Sequence, residues 1–398
     1  MLNVNLLGGV SFYAMKDIQD KFFHLLRLGI GATDSIPHIN GDEWREIYEI
    51  ANKQSLLGVV FDGVQKMSDA VKEKGESVEM GVDLLLTWMG KCKQIEKRNV
   101  QLNAAVGKVS GWFQKKGFRS CILKGQGNAL MYPNPVHRTP GDIDIWVSGK
   151  PSEVIRFVHN VAPHEKASYH HIDFPAINGI PVEVHYRPCY LQNPLHNHRL
   201  QRWFRQCADE QFSHVVPIDG GKVAVPTASF NAVYQLVHIY NHLFQEGIGL
   251  RQIVDYYFVV SMLSVNCEML NCKQDNSQIS QHLTLNIQHS LKHLGLWKFA
   301  GAVMHVLHEV LGLSEEKMIA PIDEKRGKLL LNEILQGGNF GQYDTRYRFC
   351  KGALGHNLQR LFRDFRMVRY YPAEALCEPI FRIWHFLWRL VYSLKHLA

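Results

Sequence analysis

No stretch of this 398-residue chain approaches the roughly 18–20 uninterrupted apolar residues of a membrane span. The best run, 252–265, is too short and carries Asp255. The eight cysteines, at 92, 121, 189, 207, 267, 272, 350 and 377, contain no CxxC pair. Scattered thiols in a long chain fit a reducing compartment better than a disulfide scaffold. Cys267 and Cys272, the one close pair, read as ordinary thiols rather than half a zinc site. Met1 to Met15 lacks a basic start and a small-residue cleavage pattern, so no secretory signal is read there; the chain is expected to be cytoplasmic. Internal repeats, low-complexity tracts, P-loops and GxGxxG motifs are absent too. Strong charge of one sign is also missing: a net +7 allows an anionic substrate without demanding one. Hydrophobic content of 46% with 20% charged residues is that of a globular protein.

What is present is a change of pattern along the chain. Helical periodicity runs through 17–29, 43–61 and 79–118, with breaks near Pro37 and Gly75. Short β-like runs follow at 119–123, 142–147, 168–174, 180–186 and 213–218, with a helical segment at 151–160 among them. From Ser229 onward the period is helical again, with Ser229 and Ser314 as N-caps. The expected fold is α+β. A small mixed β-sheet core spans 86–226, flanked by an N-terminal helical region, 1–85, and a C-terminal one, 227–398.

Residues 141–147 read Gly-Asp-Ile-Asp-Ile-Trp-Val. Strand alternation puts Asp142 and Asp144 on one face and Ile143, Ile145 and Val147 on the other. Two carboxylates side by side are costly unless a cation lies between them. A divalent metal with oxygen ligands is the natural neutraliser, and it commonly carries substrate phosphates. Upstream, strand 119–123 enters Lys124-Gly125-Gln126-Gly127 and then a helical stretch, Asn128 to Tyr132. Such a glycine-bearing turn lets backbone N–H groups approach a phosphate; alone it reads as a plain turn. Downstream, 180–187 places Glu183, His185 and Arg187 opposite Val182, Val184 and Tyr186. Glu183 offers a third carboxylate, which can ligate metal and accept a hydroxyl proton. Taken singly, it reads equally well as half of a solvated Glu–Arg pair.

The three elements in this order resemble the DNA polymerase β-like nucleotidyltransferase superfamily. Ile122-Leu123-Lys124-Gly125, Arg138-Thr139-Pro140-Gly141-Asp142-Ile143-Asp144, Val182-Glu183-Val184-His185-Tyr186-Arg187 and Gly247-Ile248-Gly249-Leu250-Arg251-Gln252-Ile253-Val254-Asp255 look most similar to its uncharacterised bacterial nucleotidyltransferase family. The likeness extends over about residues 90–265. It implies a transferase that moves an NMP from an NTP such as ATP to an acceptor hydroxyl on a small molecule, a protein or RNA. It further implies two Mg²⁺ ions on Asp142, Asp144 and Glu183, and nucleotide contacts from Lys124, Gly125, Gln126, Arg138, His185 and Arg187. The superfamily's Gly-Ser at the phosphate turn is replaced by Lys124-Gly125-Gln126, so Lys124 or the amides of Gly125 and Gln126 take over from a hydroxyl. That altered turn and the large helical extensions favour an alternative, a non-catalytic binding or regulatory protein on the same scaffold. The three carboxylates count against it.

Elsewhere the default readings are structural. Asn231, Gln235, His238, Asn241 and His242 form one helical stripe; it reads first as a solvated face, next as a cleft wall, and last as a zinc site, since no HExxH is present. Arg251 and Asp255 make an i,i+4 pair. His170-His171 and His196/His198 show no ligand geometry. Gly337 to Gly341 is a loop. In the tail 379–398, Trp384, Phe386, Leu387, Trp388, Leu390 and Val391 form an apolar arc beside Arg382, His385, Arg389 and His396. Packing against the protein's own core or a partner is favoured there, with weak contact to a membrane surface as the other reading.

Overall fold

The structure, a computed structural model, describes residues 5–269, 276–347 and 352–396. Cys272, Cys350 and the side chains of Cys267 and His396 fall outside that description. The architecture is α+β, a small central sheet flanked by N- and C-terminal helices, as the sequence leads one to expect.

Four helices come first: α1 (Asn5–Ile30), α2 (Glu43–Lys53), α3 (Leu57–Lys72) and α4 (Val82–Lys115). The single helix expected over 43–61 is two. The chain breaks at Ser55, φ +55°, and Gln54 turns inward, donating to the Ile334 carbonyl and accepting from the Leu250 amide. The central region holds β1 (Ser120–Ile122), α5 (Gln126–Ala129), β2 (Ile143–Val147), α6 (Pro151–Val161), β3 (His171–Ile177), β4 (Ile180–His185), α7 (Pro194–Ser213), β5 (Val215–Ile218) and β6 (Gly221–Ala224). The C-terminal part contains α8 (Ala228–Gln245), α9 (Leu250–Met269), α10 (Asn276–His293), α11 (Trp297–Leu311), α12 (Glu324–Gly337), α13 (Gly352–Met367), α14 (Pro372–Ala375) and α15 (Glu378–His396). Thr227, not Ser229, caps α8: its hydroxyl accepts from the Phe230 amide. Ser314 precedes only a short 3₁₀ turn and makes no side-chain cap bond.

The main sheet has the order β1-β2-β4-β3, with β5 and β6 forming a separate hairpin. β2 and β4 run parallel and pair Asp144 with Glu183. The outer pairs are antiparallel. β3 and β4 turn at Asn178-Gly179, both with positive φ, the backbone of a two-residue hairpin. Straight pairing counted from Ile177↔Ile180 would bring His171 opposite Tyr186. A bulge between Phe174 and Ile177 shifts it opposite His185 instead.

The two sheet faces differ in kind. Ile122, Ile145, Ile172 and Val184 pack under α4 and α6, where Val109, Phe113, Val154 and Val158 complete an apolar cluster. The opposite face carries Asp144, Glu183, His185 and His171, and α8 and α9 supply further walls there. A second core joins the helical parts, with Phe22 and Trp44 in the same cluster as Tyr234, Leu236 and Phe299.

At the C-terminus the apolar arc splits. Trp388 and Tyr392 of α15 pack on the sheet-side cluster. The stripe Ile380, Ile383, Trp384, Leu387 and Leu390 stays exposed, Ile380 at 69%. On α13, Leu358, Leu361, Phe362 and Phe365 repeat the i, i+3, i+4, i+7 pattern in solvent, Phe365 at 77%. Of the favoured expectation, packing against the protein's own core or a partner, the fold provides own-core packing for Trp388 and Tyr392 only in part. No helix among the described residues is long and apolar enough to cross a membrane.

Candidate active site

A cleft of about 380 Å³ opens between the polar sheet face and α8, α9 and the Phe340 loop. Its floor follows from strand pairing. Asp144 and Glu183 are direct partners on parallel strands, so their carboxylates leave the sheet on the same side. Asp144 is buried and spans two cations: Oδ2 lies 2.9 Å from Lys124 Nζ and Oδ1 accepts from His185 Nε2 at 2.9 Å. Glu183 Oε2 lies 3.4 Å from His185 Nε2 and 3.3 Å from His171 Nδ1. Asp142, just before the strand, lines the same cleft from a solvent-exposed position.

The electrostatics separate these carboxyls. Burial works to raise Asp144, but Lys124 and then His185 outweigh it and hold the carboxyl well below the usual range. Asp142 is raised, chiefly by the Asp144 charge beside it. Glu183 is lowered: burial acts upward and the His185 hydrogen bond overcomes it. Burial pushes His185 down while Asp144 and Glu183 lift it, with the net result about 9. Lys124 is held up by Asp144 and Asp142 against burial. The need for a cation beside the paired carboxylates is thus met in part by the protein itself.

Lys124 sits at the turn after β1. Gly125 adopts φ +55° with ψ −112°, a conformation that strains any residue with a Cβ. A Cβ placed there would stand 3.6 Å from the Asp142 carbonyl oxygen, so the turn runs against the Asp142 backbone. The following α5 is a single turn. Its amides at Gly127 and Ala129 bond back to the Lys124 and Gly125 carbonyls at 3.1 and 3.0 Å. Gln126 points away from the cleft and donates to Asn103 Oδ1 on α4. Lys124 also reaches His238 of α8 at 3.2 Å. Burial, then Lys124, keeps His238 well below its usual value, so its neutral ring can accept from the ammonium.

Arg138 reaches the cleft from a pinned loop. Asn99 donates to the Val136 and Arg138 carbonyls at 2.8 and 2.9 Å, and His137 bridges Asp62 at 2.7 Å and Glu96 at 3.1 Å. The Arg138 guanidinium is forked onto Asp255 of α9, Nε to Oδ1 at 2.8 Å and Nη2 to Oδ2 at 2.7 Å. Tyr132 and Asn128 complete the set around Asp255 at 2.6 and 3.1 Å. The expected Arg251–Asp255 helix pair does not form as a hydrogen bond. Asp255 is committed to Arg138, and Arg251 donates to the Thr139 carbonyl at 3.0 Å. Among the described residues, Arg138 Nη1 and Arg251 Nε are buried without a hydrogen-bond partner.

Arg187 does not join the cleft. β4 ends at His185, the alternation lapses, and Arg187 stacks 4.5 Å from the Tyr169 ring, bordering a neighbouring cavity. Gln235, His238, Asn241 and His242 line the cleft, so the α8 stripe is a cleft wall and not a solvated face. His170 and His171 also line it, against the expectation that they lack ligand geometry. Where a loop is expected over 337–341, Gly337 closes α12 and Asn339–Gly341 form a short 3₁₀ turn; Phe340 there packs 5.0 Å from the His242 ring and 5.6 Å from Arg251, closing one wall.

The donor atoms of Asp144, Glu183 and His185 lie within 4.8 Å of one another, close enough to hold one cation. The set mixes carboxylate with imidazole.

A family described as "Uncharacterised nucleotidyltransferase" matches residues 40–311. The crystal structure of an antigenic nucleotidyltransferase-like protein from Paracoccidioides brasiliensis is similar over 49% of this chain and 93% of that one, at 12% identity and a TM-score of 0.27. No curated protein matches the chain.

Proposed function

Because the chain belongs to this uncharacterised nucleotidyltransferase family, we propose that it transfers an NMP from an NTP to an acceptor hydroxyl, with help from divalent cations. The observation that carries this is the in-register Asp144–Glu183 pair beside Lys124, on the floor of a cleft. In this reading Asp142, Asp144 and Glu183 hold the cations, Mg²⁺ by the superfamily pattern. A cation bound there neutralises phosphate charge and makes the acceptor hydroxyl more acidic.

The remaining roles fall to the protein's own groups. Lys124 donates to a phosphate oxygen in place of the missing serine hydroxyl. Arg138 Nη1 and Arg251 Nε, guanidinium nitrogens of the cleft wall without a hydrogen-bond partner among the described residues, bind the triphosphate, because a buried donor gains most from an anionic acceptor. Gly125 keeps the turn free of a side chain. His185 orients Asp144. Glu183 takes the proton as the acceptor oxygen attacks the α-phosphorus and pyrophosphate leaves. The free thiols Cys92, Cys121 and Cys189, all buried, favour a cytoplasmic setting.

Incubation with α-labelled NTPs and cell extract tests the reading: label should enter one fraction and pyrophosphate should be released. An Asp144→Asn/Glu183→Gln double variant that retained full cation-dependent pyrophosphate release would overturn it. Calorimetry with each NTP and Mg²⁺ separates catalysis from a scaffold role, since a scaffold need not bind metal-nucleotide.

A second surface supports contact with an anionic membrane through α13 and α15. The three acidic residues between 352 and 396, Asp364, Glu374 and Glu378, are all buried. The exposed charged residues that 352–396 itself places beside the apolar stripes are therefore cationic, Arg369 and Arg389 among them. Self-association through this face would set arginine against arginine.

A further inference from the structure

The cleft holds nitrogen donors that the carboxylate reading does not use. His170 Nε2 lies 3.1 Å from His171 Nδ1. His171 Nδ1 lies 3.3 Å from Glu183 Oε2, which is 3.4 Å from His185 Nε2, which is 2.9 Å from Asp144 Oδ1. Five donor atoms thus follow one another at 2.9–3.4 Å. Ligands held at about 2.0–2.1 Å from one ion stand about 2.9 Å apart in an octahedron and about 3.4 Å apart in a tetrahedron. The spacing in the cleft spans the same interval. The donors of His170, His171 and His185 also lie within 4.8 Å of one another, as a second convergent set sharing His185 with the first.

A further observation points to a ligand. His170 Nε2 and His171 Nδ1 face each other, and ring nitrogens at that distance either share one proton or turn two lone pairs toward a cation. Ser168 Oγ stands 3.4 Å from the opposite nitrogen of His170, Nδ1, the position from which an outer partner steers a metal-binding imidazole. His185 is buried at 3% exposure, and its Nδ1 has no partner among the described residues. Its orientation therefore comes from Asp144 and Glu183 at the other nitrogen.

Magnesium favours oxygen donors and keeps much of its water, whereas imidazole suits zinc and its transition-series neighbours. We propose that His170, His171 and His185 form an imidazole site, bordered by Asp144 and Glu183, for a divalent transition ion of the imidazole-preferring class. The site rests on the reading of this cleft as a cation-assisted transfer centre, and it changes which ion occupies one of the two cation positions. Asp144 Oδ2 is held by Lys124 and its Oδ1 accepts from His185 Nε2, so this carboxylate borders the ion through His185.

Titration of the full chain with Co²⁺, followed by its visible absorption, reads the ligand field directly; calorimetry with Zn²⁺ and with Mg²⁺ gives affinities. One Co²⁺ per chain should bind with a nitrogen-containing spectrum that millimolar Mg²⁺ does not erase. His171→Ala and His170→Ala should each weaken Co²⁺ and Zn²⁺ binding by about 10–100-fold, with apo-protein melting and circular dichroism unchanged. Cobalt binding in both variants that matches wild type, alongside NMP transfer supported by Mg²⁺, would overturn the site while leaving the transfer reading intact. Tight histidine-dependent cobalt binding with no NMP transfer under any cation would support the site and remove the transfer reading.

Discussion

In the cleft, charge is buried and matched: Asp144 lies between Lys124 and His185, and Asp255 is forked by Arg138. Beside it, on α13 and α15, hydrocarbon is exposed while the acids are hidden. Both regions run against what folding alone favours. A buried ion pair gains little over well-packed hydrocarbon of the same volume, and exposed hydrocarbon forfeits about 25 cal/mol per Å². The proposed function accounts for both departures by a partner from outside, an anion with its cation in one case and an apolar surface in the other.

The contrast breaks most sharply at Glu183, the half-exposed member of the carboxylate set. Glu183→Gln should cut NMP transfer by about 10²–10⁴-fold, read by labelled-NTP turnover, with melting unchanged. A removed charge at Asp255 tests matching rather than chemistry. Asp255→Asn leaves the Arg138 guanidinium buried without its partner and should destabilise the fold by about 3–5 kcal/mol, measured by chemical denaturation. A loss under 1 kcal/mol would show that the cleft's charges are not balanced as described.

Glu374 probes the hidden acids of the other region. Burial raises its carboxyl to about 7, against the amides of Gln192 and Asn193, which lower it. Unfolded, the same group titrates at its ordinary value, about 4.5. Its contribution is thus complete below pH 4.5, fades as pH rises through the window to about 7, and is flat above it. The window amounts to about 3 kcal/mol. Glu374→Gln should flatten that part of the stability–pH curve, and a slope unchanged between pH 5 and 8 would contradict the burial. The smallest effect is expected at the surface. Ile383→Glu with Leu387→Glu should reduce co-sedimentation with phosphatidylserine vesicles several-fold, and added salt should do the same. Equal binding to neutral vesicles, or a dimer dissolved by the substitutions, would assign the stripe to another occupant.

The carboxylate floor was legible because period-2 alternation reports directly which side chains share a face. Ile143, Asp144, Val182 and Glu183 could be sorted before any strand was paired. The α+β layout was legible for a similar reason, a change of period near 119 and again near 229. His170 and His171 were not. Asn178-Gly179 signals the hairpin, yet counting back from it seats His171 on the apolar face, and the bulge that corrects the count leaves no mark in composition. Arg187 failed in the opposite way, since alternation was carried two residues past the end of β4. The Arg251–Asp255 spacing satisfied a local rule that a distant partner, Arg138, overrode. Phe340 belongs to a loop brought over the cleft by tertiary packing, which no local pattern encodes.

The Asp255 junction bears on how portable this chemistry is. It gathers Asn128, Tyr132 and Arg138 from the sheet region onto a helix more than a hundred residues later. A fragment cut after β6 would keep all three carboxylates and still leave a buried guanidinium without its counter-charge. The cleft should therefore behave as an inseparable unit with α8 and α9: grafting or trimming that stops at the strands should yield a protein that neither folds nor binds, whatever its motifs promise.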